Sequence, residues 1–266
     1  MIALQTTWTY QDSALTDYSQ QFYQFRPAFF SRFTQLPSGK HYVGLGTGTG
    51  KDFNQLARLC PDYQFTGVEF NADYVAIAKQ DAPTNVEYVC CDFKDYQPNK
   101  FIDYVVTTGI YSWVYPEDRQ SMHKIYKDYV SDNGIIAFGY NNALFWQSMR
   151  VIRELAIILA QQCDGDWQTI RTQLLALNKL NYFDKNESIK HFLIDVINQA
   201  ETRAHWIFQP SWECFYSADV RAKMIQDNYK FIVSNDLPTT PSYAENIALE
   251  IKHHASYIFD IFQKTL

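Results

Sequence analysis

The sequence predicts an α/β protein with a seven-stranded, mainly parallel sheet and an all-helical insertion after the fifth strand. Three observations support this prediction. Apolar strands alternate with amphipathic helices from residue 41 to 141, a glycine-rich turn follows the first strand, and residues 146–206 show helical periodicity only. Apolar strands joined by helices favour a parallel sheet that is covered on both faces.

The elements follow in order from apolar periodicity and turn formers. Residues 1–40 are predicted to contain one helix that starts at Pro27, because proline fits a first helical turn. Asn133-Gly134 is predicted to end a helix before the fifth strand. The predicted strands are Tyr42–Leu45, Phe65–Phe70, Val86–Cys91, Ile102–Thr107, Gly134–Tyr140, Lys230–Ser234 and Tyr257–Gln263. The predicted helices of the α/β part are Lys51–Leu59, Ala72–Gln80, Pro116–Tyr129 and Ala218–Asp227.

The pattern divides the chain into three segments. Residues 1–142 hold the N-terminal segment and the first five strands, and 143–215 form the helical insertion. Residues 216–266 complete the α/β core, with the last strand antiparallel to the sixth, although the alternation in Tyr257–Gln263 also fits a buried helix. The insertion has three apolar stripes at helical spacing, so its helices need a surface to bury. Because the chain leaves the sheet at its carboxyl edge, we expect the insertion to cap the Tyr111–Trp113 loop and to form one wall of the acceptor pocket. The alternative is that these helices pack against the outside of the sheet or form a dimer contact away from the site.

Composition narrows the functional classes. The formal net charge is −6, so a nucleic-acid partner is not expected. The five cysteines are odd in number and lack CxxC spacing, which favours reduced thiols over disulfides or a zinc site. Among the histidines, only His253-His254 are adjacent, and such side chains do not converge on a helix, so no metal is predicted. Without a signal peptide or a membrane-length apolar run, a cytoplasmic location is expected.

The turn after the first strand is the strongest ligand signal. His41 to Phe53 reads HYVGLGTGTGKDF, and its spacing fits neither the phosphate-binding P-loop nor the GxGxxG dinucleotide fingerprint. A nicotinamide oxidoreductase is therefore disfavoured. What remains is a GxGxG loop whose glycines let backbone approach a ligand closely. The next strand ends in Glu69, whose carboxylate can accept both ribose hydroxyls of a nucleoside-containing cofactor.

These features resemble motif I of the class I S-adenosylmethionine (SAM)-dependent methyltransferases, which have a Rossmann-like sheet. Later segments resemble bacterial methyltransferases with a regulatory region, the group that includes rickettsial protein-lysine methyltransferases. The segment TGIYSWVYPE (108–117) is similar to that group's HGVYSWVPPE. The other similar segments are GYNN (139–142) with Trp146, PSW (210–212) and FYSADV (215–220).

The resemblance implies SAM as the cofactor and assigns a role to each site residue. The glycine loop would face the methionine part of SAM, Glu69 the ribose, and Asp92 the adenine amino group. Phe70 is placed to pack on the adenine. The implied cofactor-binding residues are Gly46, Gly48, Gly50, Glu69, Phe70, Asp92 and Phe93.

Tyr111 and Trp113 are the candidate catalytic residues. They follow the fourth strand at the carboxyl edge, where open α/β sheets bind ligands. Aromatic faces there can hold a sulfonium or an ammonium acceptor. Two positions depart from the family pattern: Gly44 replaces a carboxylate that helps to fix the amino-acid end of SAM, and Thr108 replaces a histidine.

The sequence therefore predicts a SAM-dependent methyltransferase. The resemblance favours an amine acceptor such as a protein lysine. A small-molecule N- or O-acceptor is an alternative partner. A catalytically silent SAM-binding subunit is an alternative of another class, and turnover of SAM by the isolated chain would separate the two.

Overall fold

The computed structural model describes residues 25–181, 183–198, 211–234 and 257–265. They contain a seven-stranded sheet in the order β3-β2-β1-β4-β5-β7-β6, in which β7 alone runs antiparallel to its neighbours. The strands are β1 (His41–Leu45), β2 (Gln64–Glu69), β3 (Val86–Cys90), β4 (Ile102–Thr107), β5 (Val130–Asn141), β6 (Tyr229–Ser234) and β7 (Tyr257–Lys264). This topology confirms the predicted α/β class and the antiparallel last strand.

The helices flank the sheet or follow β5. Short-range signals begin several of them: the Asn71 side chain caps α3, and Pro116 occupies the first turn of α4. The helices are α1 (Pro27–Phe30), α2 (Lys51–Leu59), α3 (Ala72–Gln80), α4 (Pro116–Tyr129), α5 (Ala143–Trp146), α6 (Arg150–Gln162), α7 (Trp167–Lys179), α8 (Glu187–Asn198) and α9 (Ser217–Gln226). None of the helices in the described part of the chain is long and apolar enough to cross a membrane.

The fifth strand differs from the prediction. Asn133-Gly134 does not end a helix: α4 already ends at Tyr129, and both residues lie inside β5. Asn133 has a left-handed φ of 61°. The pairing moves from Ile102↔Val130 to Tyr104↔Ile135, so β5 bulges out at this point. The bulge uses the same asparagine–glycine chemistry as a helix end, which explains the wrong prediction.

The sheet has an apolar core on each face. On one face, α4 and α9 pack through Met122, Ile125 and Met224 against strand residues such as Phe138 and Phe262. On the other face, the core consists of α1, α2, α3 and the opposite strand residues, among them Phe30, Phe53, Leu56, Val75 and Tyr104. The central strands β1, β2 and β4 are therefore buried on both sides, as continuous apolar runs predict, whereas the edge strand β3 is partly exposed.

The chain order marks where a ligand can bind. From β1 the chain moves outward to β2 and β3, then crosses back to β4 on the other side of β1. Such a reversal leaves a crevice at the carboxyl ends of the central strands. The residues that follow β1, β2, β3 and β4 are those for which the sequence predicts a ligand site.

Two compact units divide the chain, and residues 144–198 belong to the helical one. In this unit α6, α7 and α8 pack around a core of Ile152, Ala156, Trp167, Ile170, Leu174, Leu193 and Val196. Residues 211–234 and 257–265 belong with the sheet. The role of residues 143–215 as a cap stays a prediction. The residues before Phe25 and the pair His253-His254 lie outside the described residues.

Candidate active site

The glycine loop forms the tight turn that its sequence predicts. Gly46, Gly48 and Gly50 have φ values of 72°, 55° and 72°, a left-handed conformation that favours glycine. The Gly46 amide donates to the Val68 carbonyl at 2.8 Å, which ties the loop to β2. A Cβ added to Gly48 would meet no heavy atom within 4 Å. The backbone at Gly48 therefore borders open space, as a ligand cradle requires.

Glu69 is built into this loop. Its side chain is buried, with 4% of the residue exposed. Oε2 accepts a hydrogen bond from the Gly48 amide at 2.9 Å, and Oε1 accepts one from the Asn71 amide at 3.0 Å. A carboxylate has about four acceptor sites, so both oxygens can still accept hydrogen bonds from hydroxyl groups. Glu69 thus shapes the loop and keeps the capacity that a ribose would need.

Phe70 follows directly and is 75% exposed. Its ring is therefore accessible to a ligand, as the predicted contact with adenine requires. Asp92 accepts a hydrogen bond from the Lys94 amide at 3.2 Å and caps the short 3₁₀ turn Phe93–Asp95. Phe93 is half-buried and packs against the core. The adenine contacts predicted for these three side chains stay predictions.

The residues around the loop fit a SAM-like cofactor in three respects. Thr47 Oγ1 is buried and has no hydrogen-bond partner among the described residues, which is uncommon without a ligand. The N-cap of α2, Gly50, has no side chain to cap the first amide groups. Exposed amides at a helix N-terminus favour a carboxylate. The open space at Gly48 lies in the same loop.

The structure explains the glycine at position 44. A Cβ there would lie 2.6 Å from Cε2 of Phe53 and 2.7 Å from Cγ2 of Thr47. The Phe53 ring, which belongs to the core under β1 and α2, occupies the volume that a side chain would need. A carboxylate is therefore excluded at this position by packing.

The loop after β4 packs directly on the glycine loop. A Cβ added to Gly46 would lie 2.7 Å from Cγ1 of Ile110. Gly109 has a φ of 65°, and a Cβ on it would meet no heavy atom within 4 Å. Its amide donates to the Tyr257 hydroxyl at 2.8 Å. The two glycines with open space, Gly48 and Gly109, thus lie on neighbouring loops at the same edge of the sheet.

Tyr111 is more buried than a simple site-lining residue. Only 5% of it is exposed, and its ring packs against Phe138 and Phe215. Its hydroxyl shares a hydrogen bond of 2.9 Å with Nε2 of His123 on α4. Burial raises the pKa of Tyr111 to about 12. The hydroxyl is therefore a neutral group at physiological pH, and its catalytic role stays a prediction.

Burial also lowers the pKa of His123 to about 4, and the charges of Lys223 and Arg119 act in the same direction, against Asp227. The unfolded chain takes up this proton near pH 6.5. The fold therefore loses stability as the pH falls through this window, by about 2 kcal/mol between pH 7.5 and 5.

Urea unfolding at pH 7.5 and pH 5 measures this effect. The variant His123→Gln keeps a polar side chain that does not titrate. The change in its free energy of unfolding between the two pH values should therefore be about 2 kcal/mol smaller than that of the wild type. Equal pH dependence in the wild type and the variant would show that His123 has an ordinary pKa.

Trp113, the second candidate catalytic residue, is half-buried. Its ring stacks on Trp212, with centroids 5.8 Å apart and planes at 28°. The structure thus brings Trp113 together with a side chain that lies about a hundred residues later in the chain.

Sequence reasoning missed four residues of this region: Thr47, His123, Trp212 and Tyr257. Trp212 lies within the PSW segment, whose similarity to the family marked it as notable without giving it a role. Tyr257 starts β7, and only the antiparallel pairing Asn141↔Tyr257 brings its hydroxyl to the carboxyl edge. The described residues contain no group of three or more acidic, histidine or cysteine side chains that could hold a metal ion.

Known proteins agree with this geometry. Residues 43–134 match a methyltransferase domain family, and the match runs from β1 into β5. The solved structure of PKMT2 from Rickettsia typhi superimposes over 92% of this chain with a TM-score of 0.69 at 16% identity. The fold of this chain is therefore that of the class I methyltransferases. PKMT2 has also been solved in complex with AdoHcy, and that structure matches with a TM-score of 0.65.

Two curated proteins are similar in sequence. An uncharacterized protein from Synechocystis is 26% identical over 215 residues, which is 76% of this chain and 42% of that protein. A malonyl-[acyl-carrier protein] O-methyltransferase from Bacillus cytotoxicus is 30% identical over 109 residues, or 40% of this chain and 37% of that protein. The structural match to PKMT2 covers 52% of the PKMT2 chain. This chain therefore spans about half the length of such relatives or less.

Proposed function

We propose that this chain is a SAM-dependent methyltransferase that transfers a methyl group to an amine. The observation that carries the proposal is the hydrogen bond from the Gly48 amide to the Glu69 carboxylate. It joins a carboxylate, a left-handed glycine and open space at the switch point of the sheet. The matched methyltransferase domain and the AdoHcy complex of a structural relative support the same cofactor.

The residues divide the work by their chemistry. Glu69 accepts hydroxyl groups, the exposed ring of Phe70 covers a flat base, and Asp92 accepts from an exocyclic amine. The α2 amides hold a carboxylate. When bound, SAM supplies a methyl group that an amine nitrogen takes with its lone pair while the carbon–sulfur bond breaks and its electron pair returns to sulfur. The loops around Gly48 and Gly109 fix the approach and exclude water, which is the main contribution a protein makes to such a displacement.

The acceptor is proposed from the surroundings of Trp113. An aromatic surface stabilises a cationic group and desolvates an amine, which helps the amine to lose its proton before it attacks. A protein lysine fits this chemistry, and the motifs around 108–117 resemble those of protein-lysine methyltransferases. A small-molecule N- or O-acceptor is the alternative. The similarity to the O-methyltransferase from Bacillus cytotoxicus supports an oxygen acceptor, which in that protein's name is a malonyl group on an acyl-carrier protein.

Replacing Glu69 by alanine tests the cofactor site. The change removes the acceptor for the Gly48 amide and for the ribose hydroxyls. We expect the affinity for S-adenosylhomocysteine (SAH), measured by calorimetry, to fall by about 1.5–3 kcal/mol, because the lost contacts involve a charged group. The wild-type dissociation constant is expected near 1 µM, or about −8 kcal/mol.

Glu87→Ala is a matched control, since Glu87 is an exposed carboxylate on the neighbouring strand β3. It should bind SAH as the wild type does. Undiminished affinity in Glu69→Ala would refute the assignment of Glu69. A different result is a wild type that binds SAH yet produces no SAH from SAM with any amine, hydroxyl or carboxylate acceptor. That result would favour the silent binding subunit.

A further inference from the structure

The segment 211–215, here called the strap, enters the sheet unit and runs beside the loop that follows β4. Ser211 Oγ donates to the Trp113 carbonyl at 2.5 Å. The Glu213 amide donates to the Ser112 carbonyl at 2.8 Å. At its end, Phe215 forms a short parallel bridge with Asn142, next to the end of β5. The strap is thus held along its whole length by backbone groups of β5 and of the loop that follows β4, here called the site loop (residues 108–115).

An ion pair joins the strap to α4 as well. The buried guanidinium of Arg119 pairs with the Glu213 carboxylate. Arg119 also donates to the Val114 carbonyl at 2.6 Å, and it lies 5.0 Å from the Phe215 ring centroid. One side chain therefore contacts the site loop and the strap at once, which fixes their relative position.

This arrangement places Trp212 against Trp113. The two indoles stack with centroids 5.8 Å apart, and both residues are half-buried, so neither is fully enclosed in the core. The same loop contacts the glycine loop through Ile110 on Gly46. Trp113 therefore lies on the loop that borders the proposed cofactor site, and Trp212 stacks on it from the strap. Tyr115, which is exposed, continues the aromatic surface along the loop.

We propose that Trp212 and Trp113 together form the surface that holds the amine acceptor, so that Trp212 determines acceptor specificity. This inference rests on the proposed function. Indole is the best aromatic partner for an ammonium group, and a stacked pair offers a larger apolar surface for the alkyl chain of the amine than one ring does. The strap therefore belongs to the acceptor site.

The test compares Trp212→Leu and Trp212→Phe with the wild type. The acceptor probe is Nα-acetyl-lysine methyl ester, and SAH binding is measured separately by calorimetry. Loss of a cation–π contact predicts a KM for the ester that rises about 2- to 30-fold in Trp212→Leu, and less in Trp212→Phe. The dissociation constant of SAH should stay within about twofold of the wild-type value, because the proposed contact is with the acceptor alone.

Phe101→Leu is the matched control. Phe101 is 68% exposed and precedes β4, at the opposite edge of the sheet. It should leave both constants unchanged. If Trp212→Leu leaves the KM unchanged while SAH binds normally, the inference about Trp212 is wrong and the cofactor assignment stands.

A second readout decides the case in which the ester is not methylated. Binding of n-butylammonium chloride is followed by ligand-observed NMR with SAH present. Saturation transfer in the wild type that is lost in Trp212→Leu supports the inference. Absent or unaltered transfer overturns it. Failure of the wild type to bind SAH would instead refute the proposed function, and the butylammonium measurement without SAH would still judge Trp212.

Discussion

Replacing Asp260 by alanine is expected to lower the free energy of unfolding by about 3–5 kcal/mol. Asp260 lies on β7 and is fully buried. Its two oxygens accept hydrogen bonds of 2.9 Å from Nε and Nη2 of Arg221 on α9, and the Tyr140 hydroxyl donates to it at 2.6 Å. Without the carboxylate, a guanidinium charge stays buried beside the apolar core, which explains the size of the effect.

Urea unfolding at pH 7 measures the loss. The matched control is Lys223→Ala, because Lys223 lies on the same helix and pairs with Asp227 at 3.3 Å in an exposed position. Exposed pairs contribute about 1 kcal/mol or less. Asp260→Asn, which keeps the shape and loses the charge, should fall between the two. A loss below about 1 kcal/mol in Asp260→Ala would show that the pair does not hold α9 on the sheet.

The network around Asp260 also shows what the sequence could not predict. The pattern of Tyr257–Gln263 indicated a strand and the pattern of Ala218–Asp227 a helix, and the structure has both. That Asp260 and Arg221 meet depends on the tertiary arrangement of two elements almost forty residues apart. Periodicity reports which residues face the core, not which core partner a charged side chain finds.

Elements with strong local signals were predicted with their correct ends. The bounds of α2, α3, α4 and β4 agree with the prediction, because a glycine, a capping asparagine and a proline begin the three helices. The bulge in β5 was missed because its signal, Asn133-Gly134, is identical to that of a helix end. Short-range sequence signals therefore predicted the helices and strands, but they could not show that Asn133 lies in a bulge within a strand rather than at a helix end.

The candidate site shows the same limit. The glycine spacing predicted a tight turn after the first strand, and the structure has this turn, with positive φ at Gly46, Gly48 and Gly50. The hydrogen bond from the Gly48 amide to the Glu69 carboxylate was not predictable, since it joins the loop after β1 to the end of β2 and depends on how these strands pair. Tyr111 was predicted to line the site, but its ring is enclosed by Phe138 and Phe215, which come from distant parts of the chain. An aromatic-rich loop does not by itself indicate which rings face the ligand.

Two glycines of one loop allow cofactor binding and folding to be separated. Gly48 and Gly50 both have positive φ, so alanine at either position carries a similar backbone strain of about 1–2 kcal/mol. Their surroundings differ. A Cβ on Gly48 would enter open space, whereas a Cβ on Gly50 would lie 2.3 Å from Oη of Tyr88 and 2.5 Å from Cβ of Ala78.

Gly50→Ala is therefore expected to destabilise the fold by about 2–5 kcal/mol, the sum of backbone strain and overpacking. Gly48→Ala should lose only the strain, yet bind SAH at least about tenfold more weakly, because its methyl group enters the space that the ligand needs. Urea unfolding and SAH calorimetry on both variants measure the two effects. Wild-type affinity in Gly48→Ala would mean that the ligand does not approach this backbone.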